Sequence, residues 1–336
     1  MRSAVLLLIF KRPWCVKQAM AALRLAAPPR LYIAADGPRD DRPEEKELCR
    51  QARAEALNVD WPCEIKTLFR EHNMGGPLGI PDAINWFFTQ EPEGIILEDD
   101  TIPVQEFFSF CDTLLERYRD EPQVMHITGN NFHCGLRYGK ASYFFSSMSH
   151  NWGWATWRRA WRHYEEWKTL PRLDDFIKDD LPCLLAPSAL PYWISVLTDS
   201  RERAASNWDA RWQYTVWQGK GLCATPQINM VRNIGSGPDS GHFPHPFIWM
   251  FLKTRGELSI RHPEVVLWKR EADIMDTYLL FGPACITAEA CLRETLIRLR
   301  RGQYRGAAGM LGLARRFYGI AALLNALKTI GKERLP

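Results

Sequence analysis

The first hundred residues alternate short apolar runs with amphipathic stretches of helical periodicity. The apolar runs predict buried strands at AVLLLIF (4–10), RLYIAADG (30–37), EIKTLFRE (64–71) and GIILEDD (94–100). The intervening stretches predict helices over 14–26, 44–57 and 82–90. Strands that alternate with helices in this way are typical of a parallel sheet covered by helices on its faces. The pattern therefore predicts an α/β fold with a mostly parallel central sheet.

The pattern changes after residue 120. A helix is predicted over 107–120 and a strand over 124–132, followed from residue 141 by an aromatic-rich region with a helix at Ala155–Tyr164. A further helix is predicted to start near Trp208, and a Gly/Ser-rich loop over 235–241 is a candidate mobile lid. The predicted organisation is a catalytic domain (1–250), a packed extension (251–283) and a basic helical tail (284–336) with two helices.

Polar residues follow three of the predicted strands. They are Lys11-Arg12, Asp36-Gly37 and the triplet Glu98-Asp99-Asp100. In open α/β sheets, ligands bind beyond the carboxyl ends of the strands, so these residues are expected at one edge of one sheet. A glycine-rich first turn is absent, which counts against nicotinamide enzymes and against nucleotidyltransferases that depend on such a turn.

Composition and charge narrow the class of protein. With 46% hydrophobic and 24% charged residues among 336, the chain is typical of a globular protein and not of a disordered one. Nine cysteines without a CxxC or Cys/His metal spacing favour buried, reduced thiols in the cytosol. The formal net charge of +4 is uneven, because residues 291–336 carry ten Lys/Arg against two Glu, about +8, which leaves about −4 for the remainder.

The basic tail allows three interpretations. Arg clusters interleaved with Leu, Ile, Phe and Ala are typical of an amphipathic helix at a membrane surface. A helical pair packed on the catalytic domain with an Arg-rich solvated face fits the same pattern. Nucleic-acid binding is disfavoured because the remainder of the chain is acidic. The apolar run at residues 4–10 is too short to cross a bilayer, and no transmembrane helix is predicted.

Several motifs occur in an order that resembles a known family. GIILEDDTIPVQEFFSFC (94–111) looks like the metal-binding segment of GT-A-fold glycosyltransferases, and particularly of N-acetylglucosaminyltransferase I and related bacterial sugar transferases, with EDD in place of DxD. The other matching segments, within residues 4–245, are LLLIFKRPWCVKQAM, IAADGPR, MSHNWGWATWRRAW, NWDARW and GSGPDSGHF. Because each motif is short, their common order is the specific feature.

The resemblance assigns the acidic triplet to a divalent ion and to the donor. It implies that Asp100 is the direct ligand of Mn²⁺ or Mg²⁺, while Glu98 and Asp99 face the donor sugar and ribose. Both ions prefer oxygen ligands, and diphosphate oxygens and water can complete the coordination. The alternative for Glu98 and Asp99 is simple solvation of a loop.

The resemblance also implies a catalytic base and nucleoside contacts. Asp209 matches the residue that takes the acceptor proton, although it could instead cap the following helix, a role that Asn207 could also fill. The family has a second acid where this chain has Ala210, so the register is open by one residue. Asp36 and Arg12 would contact the nucleoside; the alternative is an Asp-Gly turn and a surface Arg.

Aromatic residues are the candidate acceptor and sugar contacts. Trp152, Gly153, Trp154 and Trp208 are assigned to this side by the resemblance, with core packing equally compatible for Trp152 and Trp154. Trp157 and Trp161 follow at helical spacing and are predicted core residues. His242, at the end of the Gly/Ser loop, is a candidate phosphate or metal contact or a solvated histidine, and His150 is predicted to be structural.

The leading hypothesis is a metal-dependent, inverting GT-A glycosyltransferase of hexosyl- or N-acetylhexosaminyltransferase type. Its expected partners are a nucleotide-diphosphate sugar, UDP-linked, and a glycan or lipid-linked acceptor, as in surface polysaccharide synthesis, with a place in the cytoplasm or on the inner face of a membrane. The alternatives are a metal-dependent phosphohydrolase or nucleotidyltransferase, which would need a second acidic or histidine cluster that the sequence lacks, and a carbohydrate-binding protein without catalysis.

Overall fold

A mixed eight-stranded sheet forms the centre of the protein. The computed structural model describes residues 1–203, 207–237, 245–257, 259–281 and 287–330. The strand order in this sheet is β3-β2-β1-β4-β8-β6-β9-β7, and a separate pair is formed by β10 and β5. The strands are Val5–Ile9 (β1), Arg30–Ala35 (β2), Glu64–Phe69 (β3), Glu93–Glu98 (β4), Thr101–Pro103 (β5), Val124–Thr128 (β6), Tyr143–Ser146 (β7), Trp154–Trp157 (β8), Leu222–Pro226 (β9) and Val231–Asn233 (β10).

Helices flank this sheet and extend beyond it. They are Pro13–Ala26 (α1), Glu45–Ala56 (α2), Gly76–Gln90 (α3), Gln105–Arg117 (α4), Arg158–Trp167 (α5), Leu173–Asp175 (α6), Leu181–Leu184 (α7), Leu190–Glu202 (α8), Trp208–Gln218 (α9), Arg270–Phe281 (α10), Ala288–Arg300 (α11) and Tyr304–Ile330 (α12). The α3 helix begins six residues before its predicted start at residue 82. That start follows directly after Pro81, whereas in the structure Pro81 lies inside the helix. Proline has a helical φ and so can be accommodated near a helix start.

The sheet is mixed, with four of its seven strand pairings parallel, namely β1-β2, β1-β4, β2-β3 and β6-β9. Strands β1 to β4 pair in parallel, as the alternation of strands and helices predicted. In the other half, β8 lies between β4 and β6 and is antiparallel to both. The helix predicted from Ala155 therefore begins only at Arg158, because the preceding residues form β8.

Two apolar cores lie on opposite faces of the sheet. On β1, Val5, Leu7 and Ile9 enter one core, whereas Leu6 and Leu8 enter the other. Alternate side chains of a strand point to opposite faces, and a strand covered on both faces is therefore apolar throughout. The continuous run AVLLLIF is the sequence signal of this double burial.

The strand directions bring several loops to one edge of the sheet. The carboxyl ends of β1, β2 and β4 lie there, because these strands are parallel. The antiparallel β8 begins at the same edge, with Trp154 opposite Ile96 of β4 and Thr128 of β6. The residues just before β8 are thus neighbours of those just after β4.

The basic tail packs on the body of the protein. Helices α11 and α12 contribute Cys291, Met310 and Leu323 to a third core, together with Phe132 and Trp249. Arg298 is fully buried in this interface, where its guanidinium donates to Glu294 and to the carbonyls of His133 and Gly306. The packed-pair interpretation of the tail is therefore correct for the inner face of these helices.

One described helix has the length and composition that could cross a membrane, contrary to the sequence-based expectation of none. It is α12, with 27 residues and a mean hydropathy of 1.2 over its most apolar window. The helix is interrupted at Gly319, whose φ of 79° and ψ of 167° are not helical.

Candidate active site

The acidic triplet forms a tight turn at the end of β4. Glu98 is the last residue of the strand, and Asp99 and Asp100 turn the chain into β5. The Thr101 hydroxyl accepts a hydrogen bond from the Glu98 N–H at 3.0 Å and donates to the Glu98 carbonyl at 2.9 Å. This local closure fixes three successive carboxylates at the edge of the core.

Arg12 is the cation that faces the triplet. Its guanidinium hydrogen bonds to Asp99 Oδ1 and lies 2.9 Å from Asp100 Oδ2. The arginine therefore bridges two of the acids. Asp99 is only 3% exposed, yet its second oxygen, Oδ2, has no hydrogen-bond partner within the described residues. Buried polar atoms are nearly always partnered, so this oxygen is a candidate ligand atom.

The pKa values of the triplet reflect an excess of negative charge. Burial, followed by the charges of Asp100 and Asp99, raises the pKa of Glu98 well above its usual range. Burial also raises the pKa of Asp99, although the Arg12 guanidinium and the nearby Phe10 amide oppose the shift. Arg12 alone thus does not balance the buried Asp99 and the partly buried Glu98 and Asp100.

A loop after β10 lies directly over Asp100. Strand β10 pairs with β5, and the Ile234 N–H continues this pairing by donating to the Asp100 carbonyl at 2.9 Å. A Cβ at Gly235 would lie 1.9 Å from Asp100 Oδ2, so only glycine allows this approach. The predicted lid therefore starts beside the triplet. The rest of the predicted lid and His242 fall within 238–244, which lie outside the described residues.

A cavity of about 650 Å³ opens beside the triplet, at the edge formed by β1, β2 and β4. Glu98 and Asp99 line one side of it, and Gly75 and Gly76 at the start of α3 line another. The cationic residues of its wall are Lys11, Arg12, Arg39, Arg42 and Arg70. The acids Asp36, Glu44, Glu45, Glu98 and Asp99 also line it, so basic and acidic side chains are equal in number. The volume is in the range of small-ligand sites.

Asp36 organises the wall of this cavity. Its carboxylate accepts hydrogen bonds from the backbone N–H groups of Gly37, Met74 and Gly75, each at 2.9 Å, and from the Asn73 side chain at 3.1 Å. Both oxygens are thus used within the protein. In this structure Asp36 holds the loop before α3, in addition to lining the cavity.

Glu45 was not identified from the sequence. It is 1% exposed and accepts hydrogen bonds from the side chains of Lys11 and Arg39. The Arg39 hydrogen bond, opposed by burial and reinforced by Lys11, lowers the pKa of Glu45 to about 2. Glu45 therefore positions two cations at the cavity. No pattern in the sequence separated it from the other acids of a helix that looked solvated.

Asp209 lies in the first turn of α9 with its side chain exposed. Its charge contributes to the raised pKa of Glu98, which places the two carboxylates in the same electrostatic neighbourhood. Asp209 Oδ1 accepts a hydrogen bond from the Ala210 N–H at 2.9 Å, a contact of the capping kind. Asn207 precedes the helix but makes no side-chain capping bond.

The tryptophans assigned to the acceptor side separate into two groups. Trp154 is 1% exposed and is surrounded by Trp208, Trp212 and other rings, so the assignment of Trp154 to sugar contact is corrected to core packing. Trp208, 8% exposed, stacks on Trp154 and is mainly a packing residue as well. Trp157 and Trp161, predicted as core, are buried.

Trp152 and Gly153 remain at the sheet edge. The Trp152 ring is half-buried and makes edge contacts with Phe132 and Phe247. Gly153 has a φ of +71°, and a Cβ there would lie 2.9 Å from Val231 of β10 and 3.3 Å from Leu97. Glycine is needed for this approach, which brings the Trp152 loop next to the strand that ends in the triplet.

The triplet offers the right atom type for a hard divalent cation but few ligands. Within the described ranges, no group of three or more His, Cys, Asp or Glu side chains converges to enclose a metal ion. The carboxylate oxygens of Asp99 and Asp100 fit Mn²⁺ or Mg²⁺ chemically, and the unpartnered Asp99 Oδ2 supports that fit. Most of the coordination would have to come from the ligand and from water.

Comparisons with known proteins give a coarse result. No family model matches the sequence, and no curated protein matches it. Similar solved structures include HddC from Yersinia pseudotuberculosis, with 9% identity and a TM-score of 0.28 over 47% of this chain and 77% of that one. A second is the 4-diphosphocytidyl-2C-methyl-D-erythritol synthase of Anaerococcus prevotii DSM 20548, with 8% identity and a TM-score of 0.32 over 53% of this chain and 85% of that one. A third is the apo form of mouse xyloside xylosyltransferase 1, with 12% identity and a TM-score of 0.29 over 65% of this chain and 82% of that one. Similarity at this level carries no argument about function.

Proposed function

We propose that this protein is a divalent-metal-dependent glycosyltransferase of GT-A fold that uses a nucleotide-diphosphate sugar, UDP-linked, and inverts the anomeric centre. The acceptor would be a hydroxyl of a glycan or of a lipid-linked sugar. The observation that carries this proposal is the buried Asp99 Oδ2, which has no partner among the described residues and lies beside Asp100 at the mouth of a cavity lined by basic and acidic side chains.

The distribution of charge supports an anionic, metal-associated donor. The cavity wall carries Lys11 and Arg39, which pair with Glu45, and Arg70, which pairs with Asp82; in the proposed complex they would also meet the charge of a nucleotide. The neighbouring triplet carries the opposite sign and repels a bare diphosphate. A divalent cation held by Asp100 and Asp99 would reconcile the two, because it neutralises the departing diphosphate while the carboxylates hold it.

In the proposed reaction, the residues of this chain would have the following roles. Asp209 removes the proton of the acceptor hydroxyl, whose oxygen then attacks the anomeric carbon from the face opposite the diphosphate. The bond between that carbon and the diphosphate oxygen breaks, and its electron pair leaves with the nucleotide. Glu98 and Asp99 orient the donor sugar and ribose, and Arg12 holds Asp99 and Asp100 in position.

Nucleoside recognition would depend on the loop that Asp36 organises. In the proposed complex, the three hydrogen bonds from Asn73, Met74 and Gly75 to Asp36 keep this loop against the cavity, and the base would meet it. Trp152 and Gly153 would lie on the acceptor side. His242 is retained as a candidate phosphate contact from the lid.

Calorimetry tests the donor part of the proposal. UDP and a panel of UDP-sugars are titrated into the protein with Mn²⁺ or with EDTA. Mn²⁺ is expected to strengthen binding by tenfold or more, since the cation offsets the repulsion between the triplet and the diphosphate. Equal affinity in Mn²⁺ and EDTA would remove the main support for the proposal. Turnover of nucleotides without any sugar acceptor would favour a phosphohydrolase or nucleotidyltransferase instead.

The variant Asp209→Asn tests the catalytic part. It is expected to retain UDP affinity and to lose transfer by roughly 100-fold or more, because it keeps the shape but not the basicity of the side chain. The matched control is Asp120→Asn, an exposed acid just before β6 at the opposite end of the sheet, which should leave transfer unchanged. Retained turnover in Asp209→Asn would mean that another group is the base.

A further inference from the structure

Helix α12 is apolar on the side that faces away from the protein. Only 28% of the residues in its most apolar window are buried, although this window has a mean hydropathy of 1.2. A helix that packs on a soluble protein by one face normally has a polar opposite face. The inner face of α12 already accounts for the third core, so the outer apolar residues are additional.

The outer side chains form a regular stripe after the break at Gly319. Ile320, Leu324 and Leu327 are spaced at i, i+4 and i+7 and are 60%, 54% and 46% exposed. This spacing puts them on one face of the helix. The residues that pack inward from the same segment are Leu323, Ala326 and Ile330.

The segment before the break combines exposed apolar groups with arginines. Tyr304 and Leu311 are 71% and 42% exposed. Helical spacing places Arg315 on the same face as these two, with Arg305 and Arg316 beside it, and all three arginines are exposed. From 295 to 330 the sequence contains no acidic residue and seven Lys/Arg, so no acid of this stretch offsets the positive charge.

We propose that the exposed apolar and basic side chains of α12 on both sides of Gly319, namely Tyr304, Leu311, Ile320, Leu324 and Leu327 with Arg305, Arg315 and Arg316, dock on the surface of an anionic lipid bilayer. Apolar side chains that enter the acyl boundary and arginines that reach the headgroups are the two components of interfacial binding. Tyrosine also suits this boundary, because its ring is apolar and its hydroxyl is polar.

The geometry favours a helix that lies on the membrane over one that crosses it. Gly319 divides α12, and the 15 residues before the break are about 22 Å long, less than the hydrocarbon core of about 30 Å. The inner stripe of α12 also remains packed against Phe132 and Trp249 in the third core. Insertion across the bilayer would require that core to open.

A second copy of this chain is a poorer occupant of the same face. In a two-fold symmetric dimer the same surface patch meets itself, so Arg315 and Arg316 of both copies would approach one another. Like charges in such an interface are unfavourable without acids between them, and residues 295–330 supply none. Anionic headgroups supply the opposite charge.

Vesicle co-sedimentation of the full chain tests the proposal. Vesicles of phosphatidylcholine alone are compared with vesicles that contain 30% phosphatidylglycerol. We expect binding to the anionic vesicles at least tenfold tighter than to the neutral ones, and a decrease in 0.5 M NaCl as the charges are screened. Binding that is equal for both vesicle types, or absent from both, would overturn the proposal.

Two sets of variants identify the face that binds. Ile320→Ser/Leu324→Ser/Leu327→Ser should reduce binding to anionic vesicles by tenfold or more, and Arg315→Gln/Arg316→Gln by roughly tenfold, since each arginine near an anionic surface contributes about 1 kcal/mol. The matched control is Val265→Ser/Leu267→Ser, which removes two apolar side chains that are 64% and 57% exposed on another segment. All of these side chains are exposed, so circular dichroism should be unchanged.

Three outcomes would contradict the assignment. Wild-type binding by the triple Ser variant would mean that another surface is responsible. Resistance of the bound protein to carbonate extraction would indicate insertion across the bilayer. A dimer in sedimentation velocity without lipid, abolished by the triple Ser variant, would make a second copy the occupant. None of these measurements depends on sugar transfer, so the outcome is separate from that of the proposed function.

Discussion

Two buried acids of this protein, Asp273 and Asp99, differ in what surrounds their oxygens. Asp273 is fully buried, and its carboxylate accepts four hydrogen bonds of 2.6 to 2.7 Å from Ser146 Oγ, the Ser147 N–H and Oγ, and Trp268 Nε1. Asp99 is 3% exposed, but one of its oxygens has only Arg12 and the other has no partner in the described structure. Burial raises the pKa of both to about 6.

The difference separates a structural acid from a candidate ligand-binding acid. The donors around Asp273 come from β7 and the start of α10, so its carboxylate ties these elements together. Asp99 lies beside two further carboxylates at the mouth of a cavity, where Arg12 is the cation that pairs with the triplet among the described residues. Burial alone therefore does not distinguish the two roles, whereas the hydrogen-bond partners do.

The largest effect is expected at Asp100. Asp100→Asn should lower sugar transfer by roughly 100-fold or more and abolish the difference between UDP affinity in Mn²⁺ and in EDTA, because the proposed ligand is lost. Its thermal stability should be unchanged or higher, since repulsion within the triplet decreases. Calorimetry and a transfer assay measure both effects. Mn²⁺-dependent UDP binding equal to that of the wild type would contradict the assignment.

A large effect on stability is expected at Asp273. Asp273→Ala leaves four donors unpartnered and should lower the free energy of unfolding by about 3–5 kcal/mol, measured by denaturant titration. UDP affinity of the protein that remains folded should not change. The control is Asp174→Ala, an acid whose side chain is 82% exposed, for which a change within about 0.5 kcal/mol is expected. A stable Asp273→Ala protein would show that the carboxylate is not structural.

Arg12 provides a direct test of charge balance in the triplet. Arg12→Met should lower the free energy of unfolding by about 3 kcal/mol, because the buried carboxylates lose their cation. Millimolar Mn²⁺ should raise the melting temperature of this variant more than that of the wild type. Arg24→Met, which removes an exposed pair with Asp60, is the control and should cost about 0–1 kcal/mol. Equal Mn²⁺ effects in wild type and Arg12→Met would argue against a cation at this position.

The smallest effect concerns pH and the buried histidines. His126 Nδ1 accepts a hydrogen bond from Trp212 Nε1, and its Nε2 lies 3.1 Å from the His150 carbonyl. Both nitrogens of the neutral ring therefore have hydrogen-bond partners, as the carboxylate oxygens of Asp273 do. Burial lowers the pKa of His126 to about 3 and that of His133 to about 4. The unfolded chain, with histidine pKa values near 6.5, then binds protons first as the pH falls.

These two histidines should therefore lower the stability as the pH falls below about 6.5, whereas Glu98, Asp99 and Asp273, whose pKa values are raised in the folded protein, contribute in the opposite direction. At pH 5 each histidine contributes a loss of about 2 kcal/mol, whereas no loss from these groups is expected above pH 7. Denaturant titrations between pH 5 and 7.5 measure the slope. From pH 7.5 to pH 5, the difference in the free energy of unfolding between His126→Gln and the wild type should shift by about 2 kcal/mol in favour of the variant, and an unchanged difference would assign the proton uptake to other groups.

Much of the fold could be predicted from the sequence because its signals are local. Strands β1 to β4 were located within about two residues by their apolar runs, and α1 and α2 by their periodicity, whereas the start of α3 was predicted six residues too late. The position of β8 was not predictable, since its residues WATW continue into a helix and resemble its first turn. The pairing of β8 with β4 and β6 depends on partners distant in the chain.

The candidate site was predictable in its acids but not in its partners. The carboxylates at the ends of strands are visible in the sequence, and the parallel order of strands brings Arg12, Asp36 and the triplet to one edge, as predicted. The engagement of Arg12 with Asp99 and Asp100, and of Asp36 with the loop before α3, involves residues far apart in the chain. The burial of Trp154 could not be predicted either, because a tryptophan in the core and a tryptophan at a sugar site look alike in the sequence.

The sequence by itself determined the apolar periods of two and of 3.6 residues, and with them the alternation of strands and helices. It also determined the acidic turn after β4 and the positive charge of the tail. Only the tertiary structure decided which of these charges have partners: Asp273 and Asp36 are saturated by donors from distant segments, while Asp99 keeps an unpartnered oxygen. The physical reason is that periodicity and turn chemistry act over a few residues, whereas desolvation and hydrogen bonding depend on what the folded chain brings together.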